Sequence, residues 1–502
     1  MIRSLFGRRR PEEEAPLRGE LLGLEGLEER AKTLAGVFTL ARDSRSGGHD
    51  IRIRLDADLR LLREAYRLLA GDVRRGETVD PAAEWLLDNF HLVESEARAV
   101  RHDLPVRYYR KLPKLAAREL SGKARIHAMA LELIRHGDGR VDAERLTRFV
   151  LAYQTVAPLT IGELWAWPSM LKLALLQSLR ILAAGILQGR AARRDADAAL
   201  ERLAGGGTPE PLPAPLHSAF VAQLRLRMRE SDPRVASLHA RMEEAFPEGG
   251  PTSEDAVRAE HQRQATDQAS TGNAITSLRL CATLDWSRYV ERVSLVEQIL
   301  RRDPAAVYPR MDFQSRDRYR QAVEELAEPT GEAQVRVALR AVESARQAAA
   351  GKGTLERTAH VGHHLIGPGR PGLEIDVAYE PKLSQRFRRF AFAHATAAYL
   401  GGIGLLTGLG VFLAIQFVRA SGAREMAMAA ALLALVPASE LATLIVQRLV
   451  AALVPPRRLP RLDLADGVPE SARTMVVVPT LLGSVKGVEA LLEHLEVQAL
   501  GN

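Results

Sequence analysis

The sequence predicts a mainly α protein: a multi-helix region, then a two-helix transmembrane hairpin, then the first β-strand and helix of an α/β domain. Three observations predict this. Apolar residues recur at helical spacing through most of residues 21–389. No Asp, Glu, Lys or Arg occurs from Phe390 to Val418, and a second apolar run follows from Met426 to Val446. Near the end, the β-branched run Val476 to Val478 stops at Pro479-Thr480, and a helical pattern follows.

Residues 1–20, beginning "MIRSLFGRRRPEEEAP", are basic and then acidic, with no apolar core, so they read as a disordered terminus rather than a secretory signal. A first helical region is expected over 21–190. It is interrupted at "DSRSGGHD", and "RHDLPVRYYRKLPKL" reads as a Pro-broken connector carrying Tyr108 and Tyr109. Asp80 stands at an N-cap with Pro81 at the first helical position, and Asp142 caps another helix. Thr160 and Glu163 have capping-box spacing. The stretch after them is strongly apolar, but Lys172, Gln177 and Arg180 interrupt it and Pro168 kinks or restarts it. A bilayer span rarely carries two unpaired cations, so it reads as a buried or interfacial helix. Trp165 and Trp167 fit core packing better than a sugar-stacking platform.

Residues 191–215 end in Gly and Pro and read as a linker before a second helical region, 216–389. Alternating short runs between turn residues suggest a small β-hairpin at 359–380. His360, His363 and His364 lie there, but no carboxylate or cysteine stands at a metal-ligand spacing, and adjacent strand residues point to opposite faces. No metal site is expected. The lone Cys281 excludes an intrachain disulfide and reads as a small core residue.

The segment 390–454 is the expected hairpin, with spans at about 390–418 and 426–446. Roughly 20 residues cross a hydrocarbon core, so each run is long enough. "GGIGLLTGLG" suits close helix packing in lipid. Lys382, Arg386, Arg388 and Arg389 precede the first span, and Arg457, Arg458 and Arg461 follow the second; the connecting turn has only Arg419 and Arg424. The positive-inside rule therefore puts both termini in the cytoplasm. Glu440 interrupts the second span, where an ionisable group marks a polar path or a partner on another helix. The bilayer and further transmembrane helices are the expected partners. The net charge of +7 is small for 502 residues. No aromatic-interleaved basic patch points to nucleic acid.

Several long strings occur together: "AEWLLDNFHLVE", "LPVRYYRKLPKLA", "LELIRHGDGRVD", "LTIGELWAWPSML", "GNAITSLRL", "DFQSRDRYRQAVEELA" and "TMVVVPTLLGSVKGVEALLEHLEV". With them the chain resembles the cyclic β-1,2-glucan synthases of Gram-negative bacteria from about Pro81 onward, departing at 360–367, where histidines replace aromatics. The resemblance implies a bacterial inner-membrane protein whose catalytic domain uses UDP-glucose and a divalent metal. It implies that 455–502 are the start of a truncated glycosyltransferase-like domain, with the rest of the transferase as partner. It also implies that Pro479 and Thr480 edge a uridine pocket. The acidic metal residues of such enzymes lie further on than this sequence reaches. Glu489, Glu493 and Glu496 make a solvated stripe along one helix. The chain alone is therefore expected to scaffold and anchor, with no catalytic residue, no cofactor and no turnover of its own. A non-enzymatic membrane-tethered interaction protein is the alternative, and a transport component centred on Glu440 ranks last.

Overall fold

The computed structural model describes residues 18–41, 48–116, 121–204, 216–228, 242–244, 246, 252–381, 383–454, 458–465, 467–475, 477, 479–481 and 483–500. It divides into two units: Met1–Ala305 with Tyr319–Lys382, and Ala306–Arg318 with Leu383–Asn502.

The first unit is an all-helical body. Its opening helices are α1 (Leu24–Val37), α2 (Gly48–Arg74), α3 (Pro81–Asp88), α4 (Phe90–Asp103), α5 (Val106–Lys111), α6 (Arg125–His136) and α7 (Ala143–Gln154). Of these, α2, α4 and α6 pack on the long α8 (Ile161–Ala204). After it come α9 (Ser218–Met228), α10 (Ser253–Thr283), α11 (Trp286–Val293) and α12 (Leu295–Leu300).

The charges on α8 explain why so apolar a helix lies inside protein. Lys172 meets Glu96 of α4 at 2.7 Å, and Arg180 meets Asp58 of α2 at 3.1 Å. Arg190 and Arg194 converge on the buried Asp72. Glu163 caps the helix: its carboxylate accepts from the Thr160 backbone N–H at 2.9 Å, and the Thr160 hydroxyl accepts from the Glu163 N–H at 3.1 Å. The same carboxylate takes a bidentate fork from Arg125 of α6, at 2.8 and 2.6 Å. Burying charge is tolerated when it is paired and hydrogen-bonded in this way. Trp167 is fully buried and Trp165 packs against the core, as core packing predicts. Cys281 is buried too, and burial pushes its thiol pKa up to about 12.

Several boundaries differ from the sequence reading. Residues 18–20 are anchored, with Arg18 bonded to Asp267 at 2.9 Å and the Gly19 N–H to the Arg135 carbonyl; residues 1–17 lie outside the described set. The connector at 101–115 contains the helix α5, pinned by the Tyr108 hydroxyl donating to the Gly162 carbonyl at 2.6 Å. Asp80 is an N-cap by position, but its carboxylate meets Arg193 instead of the backbone. The linker assigned to 191–215 is helix through Ala204, because Ala192 and Ala196 pack against Phe220 and Val221 of α9 and Asp197 accepts from Gln223; residues 205–215 lie outside the described set. In "HGDGR", Gly139 has φ +76 and its missing Cβ would sit 3.5 Å from Ala274 of α10, so only glycine fits without strain.

The β-hairpin expected at 359–380 is not formed. That stretch holds two short helices, α15 (Val361–Leu365) and α16 (Arg370–Asp376), which follow α13 (Phe313–Thr330) and α14 (Gln334–Lys352). His360 caps α15 rather than extending a strand: its Nδ1 meets Asp303 at 2.8 Å, and Asp303 also accepts the Val361 N–H. This tertiary tie holds helices too short to persist alone. The described residues contain no β-strand, only isolated bridges. Of the strand expected at 476–478, Val476 and Val478 lie outside the described residues.

Candidate functional site

The second unit carries the residues singled out in the sequence. Its helices are α17 (Leu383–Ala393), α18 (Ala395–Ala420), α19 (Ala427–Leu453) and α20 (Val485–Leu500). The expected first span begins inside α17, which ends at Ala393, with His394 as the cap before α18. Helices α18 and α19 are each long and apolar enough to cross a membrane, and little of either is buried. So is the α8 region, 67% of whose apolar window is buried.

Helices α18 and α19 run antiparallel against each other. A Cβ added at Gly410 would lie 2.9 Å from the Ala438 Cβ, and one at Gly402 would lie 3.6 Å from Val446. Glycine thus lets the helix backbones approach as small residues do in lipid-embedded pairs. Ala442 and Val446 are the buried residues of α19, so they mark its contact face. Glu440 lies two residues before Ala442, about 200° away around the helix, and is exposed. It has no ion-pair partner among the described residues. Pro437 sits within α19 without ending it.

The segment after α19 is clipped to Arg310–Arg318. Met311 and Leu462 form an antiparallel bridge, with the Asp312 N–H donating to the Arg461 carbonyl at 3.0 Å and the Asp463 N–H donating to the Arg310 carbonyl at 2.7 Å. Arg461 pairs with Asp312 at 3.2 Å, and Arg318 donates to the Arg458 carbonyl at 2.6 Å. Burial opposes ionisation of Asp312, but hydrogen bonds from Ser315 and the Arg461 charge hold its carboxyl below the usual range. Sequence reasoning counted Arg458 and Arg461 only as topology signals. The available clue was the acid-and-serine string "DFQSRDRYR", whose Asp312, Ser315 and Arg318 make the clip.

Pro479 and Thr480 lie in an exposed, non-helical segment before α20. Glu489, Glu493 and Glu496 are all exposed along α20. No group of three His, Cys, Asp or Glu able to hold a metal ion occurs among the described residues. No described contact brings Glu440 to Pro479 or Thr480. In the first unit, His360 Nε2 lies 3.2 Å from the Tyr319 hydroxyl, and His364 bonds the Thr358 carbonyl at 2.9 Å. His360 packs beside Gly362, where an added Cβ would strike Tyr319, and His364 packs beside Gly369.

No family model matches the chain. It is 35% identical over 454 residues to the cyclic beta-(1,2)-glucan synthase NdvB of Rhizobium meliloti (strain 1021). That alignment covers 87% of this chain and 16% of the relative, so the chain spans about a sixth of the length of the curated relative it matches.

Proposed function

We propose, from the chain's relationship to the glucan synthase family, that it is the scaffold and membrane anchor of a UDP-glucose-dependent cyclic β-1,2-glucan synthase. The observation that carries this reading is the 35% identity over 454 residues, which covers 87% of the chain. In this reading α18 and α19 form a transmembrane hairpin in the bacterial inner membrane. Both termini are cytoplasmic, because basic residues cluster outside the pair and not in its turn. Pro479 and Thr480 then edge the sugar-nucleotide site, and Glu440 faces further transmembrane helices. The divalent metal and the remaining catalytic groups belong to transferase residues beyond those described. No chemical step is assigned to residues of this chain.

The test is expression in membranes with UDP-glucose binding and turnover assays. The expected result is a membrane-integrated chain with weak or no binding and no turnover. UDP release above that of a Thr480→Trp control would overturn the scaffold reading. Topology is read separately with reporter fusions at Asn502 and Ser421; a periplasmic signal at Asn502 would reverse the orientation.

A further inference from the structure

The outer face of α14 is basic, and it borders a cleft. Its inner face buries Val337, Ala338, Ala341 and Ala345. Its exposed face presents Arg336, Arg340 and Arg346, spaced so that they line one side of the helix. Across from them, Arg302 follows α12. Together they border a cleft of about 430 Å³ whose apolar lining includes Ile299 and Leu339.

The charges in this cleft are unbalanced. Arg336 is held by Glu332 at 3.0 Å. Arg302, Arg340 and Arg346 have no ion-pair partner among the described residues. The lining holds one carboxylate, Glu343, whose recorded hydrogen bond is with Gln347. The neighbouring Arg301 behaves differently, being bound by Glu297 at 2.9 Å and Glu291 at 3.5 Å. Like charges four apart on a helix, as at Arg336 and Arg340, destabilise it unless an anion intervenes. Guanidinium groups form bidentate hydrogen bonds to phosphate oxygens, and an apolar lining suits a carbon substituent on the phosphate.

We infer that this cleft is a binding site for a phosphate-bearing anion, taken by Arg302, Arg340 and Arg346 with Arg336 in support. The ligand is either a soluble phosphate compound or an anionic phospholipid headgroup. The inference does not depend on the proposed glucan-synthase role.

The experiment uses the full chain. One arm titrates detergent-purified protein with inorganic pyrophosphate by calorimetry. The other measures hydrogen-exchange protection of α14 in nanodiscs of phosphatidylcholine with and without phosphatidylglycerol. Arg340→Gln/Arg346→Gln is compared with Arg60→Gln/Arg98→Gln, which removes the same charge from exposed positions elsewhere. Unchanged circular dichroism establishes that both variants fold. The cleft variant is expected to lose at least about tenfold in pyrophosphate affinity, or the protection given by phosphatidylglycerol, while the control retains it. A pyrophosphate effect identifies a soluble ligand, and an effect confined to phosphatidylglycerol identifies a headgroup. Equal losses in both variants, or no binding in either arm, would overturn the inference. If the cleft variant unfolds, Arg302→Gln, outside every helix, replaces it.

Discussion

Helices α8 and α19 are alike in apolar length and opposite in surroundings. Both are long and apolar enough to cross a membrane, yet 67% of the α8 window is buried by protein and 11% of the α19 window. The difference lies in their charges. Lys172 and Arg180 of α8 find Glu96 and Asp58 on packed neighbours, whereas Glu440 of α19 stands exposed on the face away from α18. Apolar length alone does not separate a core helix from a membrane helix. The spacing of charges, and whether acids elsewhere can reach them, does.

The largest expected effect that would break this comparison is in α8. Lys172→Leu makes the helix more apolar but leaves Glu96 buried and unpaired, so the helical body should lose about 3–5 kcal/mol in denaturant unfolding. Lys172→Leu/Glu96→Leu should recover most of it. A stabilising single substitution would mean that α8 behaves like a lipid-facing helix.

The matching change in α19 should have the opposite sign. Glu440→Leu should leave insertion intact or favour it by about 2–4 kcal/mol on insertion scales. Impaired insertion would show that the carboxylate already has a partner within the pair.

A smaller effect tests the pairing itself. Gly410→Val should cost the α18–α19 association about 1–3 kcal/mol, through overpacking against Ala438. In a Cys281→Ser background, Gly410→Cys with Ala438→Cys should cross-link, and Gly410→Cys with Glu440→Cys should not.

A further effect is confined to acid pH. Burial first, then the charges of Lys123, Arg54 and Lys114, lower the His127 pKa to about 3. The unfolded chain therefore binds a proton that the folded chain does not as pH falls from about 6.5 to about 3, and stability is lost across that window. His127→Met should flatten the loss in the helical body. An unchanged acid profile would remove His127 from the account.

Much of this was legible because the signals are local. The Thr160–Glu163 capping box is formed, Asp142 caps α7, Trp167 is core, and α18 and α19 overlap most of the two apolar runs. Others were not, because their cause is distant in sequence. Short alternating runs at 359–380 fit a hairpin until Asp303, far upstream, fixes His360 as a helix cap. Residues 191–204 look like a linker until α9 covers Ala192 and Ala196. The clip between Met311 and Leu462 joins two segments that no periodicity connects. For Glu440, Pro479 and Thr480 the sequence supplied residue type and depth along the chain, and the fold supplied only their exposure.

By itself, then, the sequence determined where the long, locally signalled helices form and which of them are apolar enough for lipid, since capping, periodicity and hydropathy act within a few turns. Only the tertiary structure decided which apolar helix is covered by protein and which basic residues find acids. The reason is physical: a charge is tolerable beside apolar surface only when an opposite charge reaches it, and that partner is supplied by the packing of distant segments.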